Sequence, residues 1–297
     1  MAGATYTISL PKQWVRENKL SEKDELLIYE NLDNTLSICT KGPNREASKI
    51  EINLNEHRNI RQVIFALYNL GITRIEIVDD EGISKQSKKI IKEAVNNLTG
   101  IEIVNEKDEK IIIQLFMDKN KIKINQVLYR MFLIIRQSLL EIPKIEEIYA
   151  NEEEVNRLYH IAILASSLSL TDSSILDKSD IKNKLVIPSF ISVTKKLENI
   201  HDEIYKLSKY ISGDEKFFYS VTEILKDLHS VYARLSSCIF KRSKEKLNVD
   251  YDKLLEQLES IDDKAVYTLL RNLITHAKEI EKDLWRISFY EAIPNFH

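Results

Sequence analysis

Two groups of side chains in this sequence have the types and spacing to do chemistry. The first lies in residues 5–15, TYTISLPKQWV. Thr5, Thr7 and Ser9 alternate with Tyr6, Ile8 and Leu10, so an extended chain puts hydroxyls on one face and apolar groups on the other. Lys12 and Arg16 follow at once. Hydroxyls and cations of this kind meet phosphate oxygens, and such hydroxyls also fill ordinary strands. The second group is Glu198 and Asp202. Residues four apart share one helix face, with about 6 Å between Cβ atoms, where two carboxylates can hold a hard or borderline cation. The same spacing suits a solvated charged stripe, and Lys195, Lys196 and Lys209 stand beside it.

Other chemistries find no footing. His57, His160, His201, His229, His276 and His297 are scattered, with no Ser/His/Asp or Cys/His order. There are 6 glycines and no G-x-G-x-x-G or G-K-[ST] stretch, which argues against a Rossmann or P-loop enzyme. An enzyme is not expected. Cys39 and Cys238 are far apart, so neither a disulfide framework nor a C-x-x-C zinc site is expected, and a reducing cytosol is. No apolar run reaches the roughly 18 residues of a membrane span. Residues 127–140 come nearest and are broken by Arg130, Arg136 and Gln137. No secretory pattern opens the chain. The net charge of −3 gives no global basic field, so nucleic-acid binding would have to rest on a local patch.

A length of 297 residues predicts two or three domains. Residues 5–10 read as a strand, and Pro11 opens a short helix. Residues 24–29 and 35–39 read as strands joined by a tight turn at Asp33-Asn34. Lys41-Gly42-Pro43-Asn44 ends this part. A β-α-β-α-β-β domain follows: strands 49–54, 73–78, 101–104 and 110–115, and helices 56–70 and 84–98. Gly71 and Gly100 stop the two helices. From about residue 125 the pattern is all helical, with a polar loop at 171–183 and a fifth helix that is short or poorly bounded. In the third helix, Val193, Leu197, Ile200, Ile204, Leu207 and Ile211 alternate spacings of four and three. Val266, Leu270, Leu273, Ala277, Ile280 and Leu284 repeat them 73 residues later, as expected of two three-helix repeats packed side by side. The fold class is therefore multidomain α+β, divided at 1–45, 46–120 and 121–297.

The order strand, S-L-P-K-x-W, short helix, E-K-D-E-L turn, strand, tight turn, strand resembles the AbrB/MazE/SpoVT swapped-hairpin DNA-binding module. That resemblance implies that two chains interleave their hairpins into one small barrel, and it gives Thr5, Thr7, Ser9, Lys12 and Arg16 as DNA contacts. Leu197-Glu198-Asn199-Ile200-His201-Asp202 looks like the third-helix segment of PhoU, and Glu152-Glu153-Glu154 like the acidic segment facing it. The resemblance implies an iron or zinc cluster at Glu198, Asp202, Glu152 and Glu153. In the second repeat Arg271 and Thr275 take the places of Glu198 and Asp202, so any cluster is single. The order of the three parts, with A-L-Y-N-L-G at 66–71 and L-T-G-I-E-I-V at 98–104, resembles the archaeal phosphate-uptake regulators. It implies a cytoplasmic homodimer that binds DNA and docks on a phosphate-transporter ATPase or a signalling partner. The alternative is a dimeric adaptor that gates such a partner without binding DNA. The family's basic strand has no counterpart in Met1-Ala2-Gly3: either the start lies upstream or the first hairpin strand is missing, and a missing strand favours the adaptor.

Overall fold

The structure, a computed structural model, describes residues 6–30, 35–40, 48–118, 121–170, 172–212, 215–241 and 249–292. The chain divides between Ala47 and Ser48 into two compact units.

In the N-terminal unit, helix α1 (Lys12–Glu17) starts straight after Pro11, whose fixed φ and missing N–H suit that position. Strands β1 (Leu26–Glu30) and β2 (Leu36–Thr40) form an antiparallel hairpin in the register Leu26↔Thr40 to Glu30↔Leu36. Residues 6–10, expected as a strand, belong to no strand here. A strand needs a neighbour for its backbone groups, and the hairpin's register engages only β1 and β2. None of the described residues of this unit is buried. Tyr6 is 91% exposed, and Ile8, Ile28 and Leu36 are more than half exposed. The turn at Asp33-Asn34 and the punctuation at 41–44 lie outside the described residues.

The second unit begins with the mixed domain read from the sequence. Strands β3 (Lys49–Asn53), β4 (Arg74–Val78), β5 (Ile101–Glu106) and β6 (Lys110–Leu115) form one sheet in the order β3-β4-β6-β5. β3 and β4 are parallel because helix α2 (Ile60–Asn69) carries the chain back between them, and the other pairs are antiparallel. Alternation puts Ile75, Ile77, Ile111 and Ile113 into the core. Glu76 is the exception. It is buried, and hydrogen bonds from Lys110, Arg74 and Lys49 hold its carboxyl down to about 2. Helix α2 starts later than the periodicity suggests, because Asn59 caps it by accepting from the Gln62 N–H. Ser84 caps α3 (Lys85–Asn96) by accepting from Ser87 N–H.

Helices α4 (Ile124–Leu140), α5 (Ile145–Ser169), α7 (Ile187–Ile211), α8 (Glu215–Lys241), α9 (Tyr251–Leu258) and α10 (Lys264–Ala292) build the rest. One correction falls between α5 and α7. The expected polar loop at 171–183 contains helix α6 (Ser173–Lys178). Asp172 caps it, and Ile175, Leu176 and Ile181 are buried, which supplies the packing that so short a helix needs. The twelve residues of the four-three repeat are all buried at 3% exposure or less, and α7 and α10 pack against each other. They run antiparallel, joined from end to end by Tyr210–Asp263, Glu203–Asn272 and Lys196–Asp283. Among the described residues, no helix is long and apolar enough to cross a membrane.

The α/β layer and the helices share this unit through α2 and α5. Gly71 ends α2 at φ +76, and a Cβ there would lie 2.7 Å from Leu168 Cδ2 on α5. His160 of α5 donates from Nδ1 to Asn69 Oδ1 at 3.1 Å and packs 4.6 Å from the Phe65 ring.

Candidate functional site

The acidic cluster of the sequence reading sits where α4, α5 and α7 meet. Glu152 projects from α5, and Glu198, His201 and Asp202 from α7. Glu152 Oε2 accepts from His201 Nδ1 at 2.6 Å, and Glu152 Oε1 accepts from Asn156 Nδ2 at 3.1 Å. The other imidazole nitrogen, Nε2, lies 3.0 Å from Ser138 Oγ on α4, and that oxygen accepts from Asn151 Nδ2 at 3.0 Å. His201 and Ser138 are fully buried. Asp202 also hydrogen-bonds Glu152.

Two carboxyls this close do not both ionise freely. Burial, the hydrogen bond and the charge of Glu152, and the charge of Glu198 push Asp202 up to about 7, with Lys206 pulling the other way. Burial also acts to raise Glu152, but the hydrogen bonds from His201 and Asp202 outweigh it and bring Glu152 below its ordinary value. The pair thus shares one proton, held by Asp202 below about pH 7.

The structure brings Glu152, Asp202 and Glu198 into one neighbourhood. It gives Glu153 a different place, exposed and hydrogen-bonded to Tyr149. Glu198 is paired with Lys195 Nζ at 2.5 Å. The carboxylates that the resemblance offered to iron or zinc are therefore engaged by protein donors. Among the described residues, no group of three His, Cys, Asp or Glu side chains is arranged to hold a metal ion. As placed, these residues do not fit such an ion.

Ser138, His201 and Glu152 stand in the order of a hydrolytic triad. The geometry is not that of a working nucleophile, because Ser138 is buried and Asn151 already donates to its hydroxyl. The arrangement satisfies the hydrogen bonding of a histidine placed in a helical core. Sequence reasoning missed it because Ser138 and His201 are 63 residues apart. The available signal was His201 itself, a polar residue directly after core position Ile200.

In the N-terminal unit, Thr7 and Ser9 are exposed in the segment leading to α1. Lys12 and Arg16 are exposed one helical turn apart on α1. Thr5 lies outside the described residues.

Among the described residues the module holds a hairpin and a short helix after a proline, and none of them is buried. Residues 2–46 match the family model described as antidote-toxin recognition MazE, bacterial antitoxin. This match makes the N-terminal segment a MazE/AbrB-type module and leaves the rest of the chain unassigned. No curated protein and no solved structure matches the chain.

Proposed function

We propose that the chain is a homodimeric, DNA-binding regulator of phosphate uptake. Two N-terminal modules would interleave into one barrel that binds DNA, and the helical unit would sense phosphate status by docking on a transporter ATPase or signalling partner. The observation that carries the dimer is the N-terminal module itself: Tyr6, Ile8, Leu27, Ile28 and Leu36 are exposed and none of its described residues is buried. Fewer than 50 residues with that much apolar surface in water do not hold a fold alone, so a second copy is the natural cover. DNA contact is assigned to Thr5, Thr7, Ser9, Lys12 and Arg16. The match of residues 2–46 to an antitoxin module supports it. The phosphate role rests on the likeness of Leu197–Asp202 and of the two helical sets to PhoU. The helical unit is read as a docking and sensing body, without catalysis.

The second reading is a dimeric adaptor that gates the same partner without touching DNA, and the net charge of −3 favours it. An electrophoretic shift of a duplex from the region upstream of the chain's own coding sequence, run in a salt series, separates the two. The regulator gives a shift at low salt that weakens as salt rises. Absence of any shift at low salt refutes it.

A further inference from the structure

Among the described residues, three that are not glycine have positive φ, and two of them stand four residues apart in the N-terminal unit. Lys19 (φ +52) and Lys23 (φ +77) both lie in the connection from α1 to β1. Lys19 sits just past the end of α1, where its N–H bonds the Arg16 carbonyl and the Leu20 N–H bonds the Val15 carbonyl. Glycine is the residue that occupies such a left-handed position without cost. A lysine with its Cβ there works against the turn it closes.

Among the described residues, neither lysine recovers this cost through a contact. Lys19 and Lys23 are exposed. Among the described residues neither has an ion-pair or side-chain hydrogen-bond partner, and the same holds for Lys12 and Arg16. Acids are nearby in sequence, but Glu17 accepts from Gln13 Nε2 and Asp24 accepts from the Ser21 N–H. One cluster of the second unit shows cations that are committed. Lys49, Arg74 and Lys110 all close on Glu76. Residues 12–23 thus hold four cations without a partner among the described residues, two of them at backbone positions that disfavour any side chain.

We propose that Lys19 and Lys23 are phosphate-contacting residues that extend the Lys12–Arg16 face of α1 into the following turn, and that their ligand is the sugar-phosphate backbone of duplex nucleic acid. This rests on the DNA-binding reading above and adds two contacts to it. A single cation on a backbone phosphate carries no sequence information. Its signature is the salt dependence, in which each lost contact lowers the slope of log affinity against log salt by about 1. If affinities converge near 1 M salt, one lost contact costs about eightfold at 0.1 M.

The test uses Lys19→Gly and Lys23→Gly in the full chain. Glycine relieves the left-handed backbone, so both variants fold and melt at or above the temperature of the parent. Binding of a fluorescently labelled duplex from the chain's upstream region is followed by anisotropy between about 0.05 and about 0.5 M salt, a range of about one decade. The expected result is weaker binding with a shallower slope in each variant, an additive loss in the double variant, and retention of both in Lys23→Arg. A parent that binds while the glycine variants keep its affinity and slope overturns this inference and leaves the DNA reading standing. A parent that shows no binding at low salt overturns both.

Discussion

Replacing Asp202 with asparagine should make the protein more stable at pH 8 and leave it unchanged at pH 4. Asp202 has a folded value of about 7 against an ordinary 3.8, raised by burial and by the carboxyl of Glu152. A group whose folded value is raised favours the folded state fully below the unfolded value. That contribution is lost as pH climbs through the folded value, here between about pH 4 and 7. The full span would amount to about 4 kcal/mol at 1.36 kcal/mol per unit. Asp202 is partly exposed and titrates together with Glu152, so solvent screening cuts this to about 1–2 kcal/mol. Asparagine keeps the size and can donate its amide to Glu152 where the carboxylic acid donated. It cannot ionise. Urea unfolding followed by circular dichroism at 222 nm, from pH 4 to 8.5, gives the comparison. The parent should lose about 1–2 kcal/mol relative to Asp202→Asn over this range, a shift in Tm of roughly 2–8 °C. A variant that is equal or less stable at pH 8 would show that Asp202 is stabilised as an anion, and the shared-proton arrangement would be wrong.

Three further outcomes are expected. His160 is held down to about 4, mainly by burial and then by the charge of Lys195. Its contribution is present above 6.5 and lost as pH falls from 6.5 to 4, so the parent should lose about 1–2 kcal/mol there after screening, and a His160→Gln variant should show a flatter unfolding profile over that window. Gly71→Ala should destabilise by about 2–3 kcal/mol in denaturant titration, because it combines φ +76 with a 2.7 Å approach to Leu168 Cδ2; a loss under about 0.5 kcal/mol would mean that α2 and α5 move apart freely. Elemental analysis of the purified parent beside Glu198→Gln should give equal metal in both, since Lys195 already holds Glu198. Iron or zinc lost in the variant would restore the carboxylate cluster as a metal site.

Local patterning was enough to place the helices and most strands. Apolar periods of 3.6 and 2, together with the caps at Ser84 and Asp250 and the stop at Gly71, are written in neighbouring residues, and the elements follow them. The N-terminal module was legible for the same reason, since its proline, turn and hairpin all lie within one short segment. The four-three repeat identified α7 and α10 as long packing helices, because every one of its apolar positions must find cover. Where short-range pattern failed, burial from elsewhere in the chain overrode it. Ile175 and Leu176 turn a polar stretch into a helix because a core is there to receive them. Residues 6–10 have the alternation of a strand, but among the described residues β1 and β2 pair with each other and none pairs with 6–10.

The site shows the division most clearly. The sequence determined that Glu198 and Asp202 share a helix face and that Glu152 lies in an acidic turn of another helix. Only the tertiary structure decided that Glu152 meets His201, that Ser138 and Asn151 complete the run, that Lys195 takes Glu198, and that Glu153 turns to Tyr149. Those contacts are fixed by how α4, α5 and α7 rotate and slide against one another. That arrangement satisfies the buried His201 and Ser138 together, and no window of neighbouring residues contains it.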